Sequence, residues 1–224
     1  MNQPGIARDG LTDRAYELLR DRIIDGRLAP DERLQIDRLS KDLGVSHTPV
    51  REALNRLASD RLVCLEPYRG FRVAPLLDAG SLRQLFEARR VIELGALGES
   101  VTRAGDQDRE QLTLVFDKMA GIASAATLDI VSFNELDAAF HRQTVVASRN
   151  VYLVNAYDDL HVHVQIARCY RNRPNTDSQQ AQADHRAILD AFVSGDREAL
   201  LAAASAHITA VCRRLAGNAT EAHT

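Results

Sequence analysis

The chain has no tryptophan, only two methionines and three cysteines, and just 5% of its residues are aromatic. Cys64, Cys169 and Cys212 are odd in number, widely spread and form no CxxC pair. That excludes a disulfide framework and a cysteine-based zinc site, and reduced thiols are expected. No run approaches the roughly eighteen apolar residues of a membrane span. Residues 1–10 lack the apolar centre of a signal peptide and read as a disordered lead, so a cytoplasmic location is expected. A strong charge of either sign is also missing. The formal net charge is −3 over 28 basic and 31 acidic residues. Residues 1–76 hold 13 basic against 12 acidic side chains, and the remainder 15 against 19. Overall charge therefore carries no nucleic-acid signature, and any basic footprint must be local, as at Arg51, Arg56, Arg69 and Arg72.

What is present is an ordinary globular composition, 45% hydrophobic and 26% charged over 224 residues, enough for one or two buried cores. The most informative stretch is Leu43-Gly44-Val45-Ser46-His47-Thr48-Pro49-Val50-Arg51-Glu52-Ala53-Leu54. Gly44 supplies a permissive turn, Ser46 or Thr48 a cap, and Pro49 a first-turn residue whose missing N–H costs nothing. Val50, Ala53, Leu54 and Leu57 then recur at i, i+3, i+4 and i+7, one buried stripe, while Arg51 and Arg56 point elsewhere. A helix entered this way, with small polar groups and an arginine at its start, suits the major groove. Upstream, the pattern predicts a helix from Thr12 or Asp13 to about Asp25, ended by Gly26, and a short one over 36–43. The recognition helix is expected over about 48–60. Residues 62–66 and 70–74 read as strands around the turn Pro67-Tyr68-Arg69-Gly70. Together these make a winged helix-turn-helix.

Beyond Gly80 the pattern is helical throughout. Helices are expected over 81–103, 106–124, 129–147, 151–170, 178–194 and 196–216, with Asp106, Asp129 and Asp196 as N-caps and a polar loop at 171–177. Gly98 interrupts the first of them. The fold class is thus mostly α: a winged helix-turn-helix over 11–75, then an all-α antiparallel bundle over 80–216. Asp137 and His141 stand four apart on one helix and share a face. His185 lies ten positions before Gly195 and His207 twelve after it, so in an up-down helix pair the two stand at comparable heights. A carboxylate and three imidazoles suit Zn²⁺, Ni²⁺, Mn²⁺ or Fe²⁺. Read on spacing alone, the same residues serve equally as unrelated core or surface histidines.

The N-terminal part resembles the GntR family of bacterial transcription regulators. The matching residues run from Leu28-Ala29-Pro30 through Leu34, Leu39, the block at 43–54 and Leu62-Val63 to the wing Arg69-Gly70-Phe71-Arg72-Val73. The second part resembles the ligand-binding helical domain of the FadR-like subgroup. It matches at Glu87-Ala88-Arg89-Arg90 with Glu93, at Asp137-Ala138-Ala139-Phe140-His141, and at Ala147-Ser148-Arg149-Asn150. Asp184-His185-Arg186-Ala187-Ile188, Gly195-Asp196 and Ala206-His207-Ile208 complete the set.

The resemblance implies a divalent metal, zinc before nickel or manganese, held by Asp137, His141, His185 and His207. It also implies an effector-binding and dimerisation role for the helical part. Arg89 would pair with the carboxylate of a small effector, or else with Glu93; His161, His163 and Arg168 are further candidates for lining that pocket. DNA contacts carry over to Ser46, His47, Thr48 and Arg51, with Arg69 and Gly70 in the wing; Arg51 has the chemistry for a guanine edge. Two positions depart from the family pattern. His47 replaces an arginine, and Arg61 replaces the glycine after the recognition helix, which predicts a less sharply ended helix. The expected protein is a homodimeric repressor, controlled by a small organic acid bound beside the metal as is commonest in such relatives, that binds a pseudo-palindromic double-stranded operator and is not an enzyme. The alternatives are a metal-sensing regulator and a helical-bundle metalloenzyme.

Overall fold

Ala15, Leu19 and Ile23 recur every fourth residue, and all three are buried on one side of helix α1 (Ile6–Ile24). The computed structural model describes residues 6–125, 128–170 and 178–221. Within them α1 starts earlier than the capping residues suggest, so Ile6–Gly10 are helical, while the rest of the expected lead, residues 1–5, lies outside the described residues. The chain divides into two units, Met1–Leu76 and Leu77–Thr224.

In the first unit, α1 packs on α3 (His47–Ser59), which α2 (Ile36–Leu43) precedes. Between α2 and α3 Gly44 takes φ +67°, and the Val45 N–H closes the turn onto the Ser40 carbonyl at 3.1 Å. Val50, Ala53, Leu54 and Leu57 are fully buried, as their spacing requires. The end of α3 is sharp, contrary to expectation. Arg61 itself adopts the left-handed conformation, φ +58°, and the Leu62 N–H reaches the Leu57 carbonyl at 2.9 Å while the Arg61 N–H reaches Ala58 at 3.1 Å. This is the bond pair that a glycine there usually makes, so the substitution costs backbone strain but not termination. Strands β2 (Val63–Glu66) and β3 (Gly70–Val73) pair antiparallel with Val63 opposite Val73 and Leu65 opposite Phe71. A third strand, β1 (Arg33–Leu34), lies on the other side of β3. At two residues it is too short to show any alternation in the sequence.

The second unit contains α4 (Ala79–Arg103), α5 (Asp106–Ala123), α6 (Ile130–Val146), α7 (Val151–Asp158), α8 (Val162–Tyr170), α9 (Ser178–Ser194) and α10 (Arg197–Glu221). No described helix is long and apolar enough to cross a membrane. Helix α4 runs through Gly98 unbroken. A Cβ there would come within 3.0 Å of the Arg197 Nη2, so the glycine admits a guanidinium rather than a kink. Gly105, not Asp106, caps α5, and the Asp108 carboxylate turns back to accept the Gly105 N–H at 2.8 Å. The expected helix over 151–170 is two helices. The chain turns at Asp159–His161, with His161 at φ +49° and the Leu160 N–H on the Tyr157 carbonyl. No glycine or proline marks this break. The loop expected at 171–177 lies outside the described residues. Helix α10 packs along α4 and α9, and α6 packs against α4 and α5.

Candidate functional site

In the first unit, Ser46, His47, Thr48, Arg51, Arg69 and Gly70 are all exposed, from the start of α3 to the tip of the β2–β3 wing. Ser46 occupies the N-cap position without a side-chain hydrogen bond, so its hydroxyl is not consumed by the helix. The His47 Nε2 stands 3.2 Å from the Asp37 carboxylate on α2. Two other arginines of the expected basic footprint are engaged within the unit. Arg56 pairs with Asp13 and lies over the Tyr16 ring at 4.4 Å. Arg72 bridges Asp31 at 2.8 Å and Glu66 at 2.7 Å. The footprint thus narrows to Arg51 and Arg69.

In the second unit, α6, α9 and α10 bring Asp137, His141, His185 and His207 together, with one donor atom from each inside 4.8 Å of the others. The His185 Nε2 is 3.1 Å from Asp137 Oδ1 and 3.3 Å from the His141 Nε2; His141 Nε2 to Asp137 Oδ1 is 3.9 Å. The three histidines are buried. Each has a partner on its outward nitrogen. His141 Nδ1–H donates to Glu93 Oε1 at 2.7 Å, His185 Nδ1–H to Gln182 Oε1 at 3.2 Å, and His207 Nδ1–H to Asp184 Oδ2 at 3.4 Å. Those protons fix the tautomers and leave each Nε2 lone pair for the centre.

Asp137 is anchored from behind. The His163 Nδ1–H donates to its Oδ2 at 3.1 Å, and the Tyr157 hydroxyl donates to His163 Nε2 at 2.8 Å. Burial alone would raise the Asp137 pKa, but the bond donated by His163 holds it well below the usual carboxylate range. An ionised carboxylate facing imidazole lone pairs in a buried site favours a cation at their centre. Donors about 2.1 Å from a tetrahedral ion sit roughly 3.4 Å apart, which the observed separations bracket. The residues fit a divalent metal.

Burial lowers the pKa of His141 to about 3 and of His207 to about 4. Both rings are thus neutral, the form that ligates. The consequence for stability has a definite sign. As pH falls below about 6.5, the unfolded chain takes up these protons before the folded one does. Stability that is complete above that pH is lost towards pH 4. We expect thermal melts of the metal-free protein to move to lower temperature between pH 7 and pH 5, by up to about 1.4 kcal/mol per pH unit for each histidine. A flat profile would mean that the rings are not buried neutral.

Arg89 and Glu93, one turn apart on α4, are both fully buried, with Arg89 Nε on Glu93 Oε2 at 2.8 Å. Burial opposes the charge on each, yet their mutual attraction keeps Glu93 ionised far below its ordinary range and Arg89 protonated. The Arg89 Nη2 is buried with no hydrogen-bond partner among the described residues. Arg89 borders a cavity of about 30 Å³ lined also by Asn134, Asp137, Tyr170, His207 and Arg214. That is room for one or two waters. His163 stands one step behind the cluster, outside this lining. Arg168 is buried on α8, its Nη1 on Gln165 at 3.3 Å, and also lies outside the lining. His161 is half-buried at the α7–α8 turn. The sequence assigned no role to Gln182, Asp184 or Tyr157 because each acts through a histidine rather than at the centre. The Ser148-Arg149-Asn150 motif is structural: Arg149 pairs with Asp108 at 2.6 Å, and Asn150 caps α7.

Residues 11–73 match the bacterial regulatory proteins of the gntR family, and residues 84–210 match the FCD domain. An HTH-type transcriptional regulator from an unstable DNA locus of Streptomyces ambofaciens is 30% identical over 219 residues, covering 91% of this chain and 85% of its own. The HTH-type transcriptional repressor GlaR of Escherichia coli is 34% identical over 92 residues, 41% of each chain. Among solved structures, Escherichia coli McbR/YncC superposes with a TM-score of 0.75 over 92% of this chain and 96% of that one, at 22% identity, a likeness of fold.

Proposed function

Since the chain belongs to the gntR family of bacterial regulatory proteins and carries an FCD domain, it is a DNA-binding transcriptional regulator and not an enzyme, and we propose that it is a repressor whose operator binding is controlled at the Asp137–His141–His185–His207 centre. The observation that carries this reading is the convergence of those four donors on α6, α9 and α10, each held by a dedicated outer partner. They would hold a divalent ion, zinc before nickel or manganese, given four N/O donors at near-tetrahedral separations. When bound, such an ion supplies an electrophilic open position for an oxygen ligand.

The chain's own residues then define the effector. Two guanidinium groups (Arg89 and Arg214) against three carboxylates (Glu93, Asp137 and Asp184) leave the site one negative charge, which a divalent ion turns into one positive. A carboxylate monoanion balances it. Arg89 keeps its Nε on Glu93 and offers Nη2 to that carboxylate, a charge-assisted bond in a low-dielectric site. The cavity takes little more than the carboxyl group itself. The rest of an effector must therefore displace the wall formed by Asn134, Tyr170 and Arg214, and that displacement is how occupancy biases the fold. Repression is in keeping with the name of GlaR. A homodimer, through the helical unit, would address a pseudo-palindromic operator from the cytoplasm; α4 exposes Val91 for such a contact.

The test is a titration of metal-loaded protein against a duplex selected by the wild-type protein from a random pool, with a panel of small carboxylic acids. Weakened binding with one acid, lost on metal removal, is the expected result. Binding that no acid alters would end the effector reading. The smallness of the cavity favours one alternative, that the ion itself is the signal; operator affinity tracking free metal with no acid present would establish it. On the DNA side, exposed Arg51 at the first turn of α3 has no intramolecular ion pair among the described residues. Arg51→Ala should cost about 1–3 kcal/mol of operator binding and relax the preference at one base position. Unchanged affinity in a gel-shift titration would remove it from the interface.

A further inference from the structure

The wing turn is built in an unfavourable way. Glu66 and Gly70 are the last paired residues, and the Arg69 N–H closes the turn on the Glu66 carbonyl at 3.1 Å. Pro67 occupies the first central position, for which its fixed φ is suited. The second central position, Tyr68, is left-handed at φ +63°, where glycine or asparagine is the ordinary occupant. The Tyr68 side chain gains nothing from the chain in return. Its relative exposure is 108%, that of a tyrosine in an isolated peptide. A large ring carried at a strained backbone position, buried against nothing, gives the folded monomer a cost without a matching contact.

We propose that Tyr68 is a DNA-contacting residue of the wing, its ring lying against the deoxyribose and base edges of the minor groove beside Arg69. This rests on the reading that the wing lies on the operator. A phosphate contact needs only the cation that Arg69 supplies. An aromatic ring instead gains free energy by covering the apolar sugar and base edges that a groove offers, as apolar side chains do in other minor-groove binders. The proposal also separates the two residues by kind. Arg69 contributes through charge and so through salt dependence, whereas Tyr68 contributes through desolvated contact and not through counterion release.

The absence of tryptophan from the chain makes the test specific. In the full-length protein, Tyr68→Trp creates a sole tryptophan at the wing tip. Its emission should shift to the blue and change in intensity on adding the selected duplex. Tyr68→Gly should raise the melting temperature slightly, by relieving the left-handed strain, yet weaken duplex binding on the order of tenfold. The salt slope of that variant should match wild type, while Arg69→Ala should lower the slope by about one. Tyr68→Phe, which keeps the ring, should bind within about twofold of wild type. The inference is overturned if Tyr68→Gly binds as tightly as wild type and the tryptophan emission ignores the duplex while Arg69→Ala is impaired. If Arg69→Ala also binds normally, the wing is not on the DNA, and the underlying reading fails with it.

Discussion

His185→Ala should strip the protein of its metal while leaving the helical unit folded. His185 holds the shortest separations in the cluster, 3.1 Å to Asp137 and 3.3 Å to His141, and is fully buried. Loss of an outer partner alone typically lowers metal affinity 10- to 100-fold; removal of a direct donor should exceed that, to at least about a thousandfold. Helix α9 does not depend on the imidazole, since Ile188, Leu189 and Phe192 bury the same helix in the apolar core. Elemental analysis of tag-free protein is the measurement, beside circular dichroism for helix content. Roughly one ion per chain in wild type and none in a still-helical variant is the expected result. Full occupancy in the variant would show that the donor set is wrong, and with it the effector chemistry built on an open coordination position.

Arg89→Ala should have the largest effect on stability of any single change at the site. The variant strands the Glu93 carboxylate, which is fully buried and, among the described residues, bonds to Arg89 and His141. Breaking one side of a buried pair costs about 3–5 kcal/mol. For a unit of this size that lowers the melting temperature by on the order of 10 °C. Pairing the change with Glu93→Gln should recover most of the loss, because the amide removes the unpaired charge and still accepts the His141 Nδ1–H. A melt of Arg89→Ala within about a degree of wild type would mean that Glu93 is not held ionised by Arg89. The double variant is also the clean background for the effector role of Arg89, since an unstable single variant could lose its response simply by unfolding.

The winged helix-turn-helix was legible because its signals are local. The 43–57 stretch carries its turn, its first-turn proline and its buried stripe within fifteen consecutive residues, so periodicity alone sets which side is core. The spacing of Asp137 with His141 and the placement of His185 and His207 about Gly195 were legible for the same reason: helix geometry converts sequence separation directly into direction. Three features were not. The break at Asp159–His161 carries no glycine or proline, and its turn is closed by backbone bonds from Leu160 to Tyr157 and from His161 to Asp158. The end of α3 at Arg61 is set by two backbone bonds that no side chain announces. Strand β1 exists only because β3 lies beside it.

The sequence by itself pointed to the family, the mostly α architecture and the four candidate donor positions, since each depends on contacts within a few residues or on a repeated helical period. Only the tertiary structure decided what those donors are. Glu93, 48 positions away in sequence, determines which nitrogen of His141 faces inward, and His163, 26 positions away, helps keep Asp137 ionised. Arg56 and Arg72 leave the basic footprint because Asp13, Asp31 and Glu66 claim them. Among the described residues Arg89 both pairs with Glu93 and keeps one buried donor free, an outcome that depends on how five helices meet around a cavity of about 30 Å³. Burial and charge balance are properties of the packed interior, and no spacing along the chain encodes them.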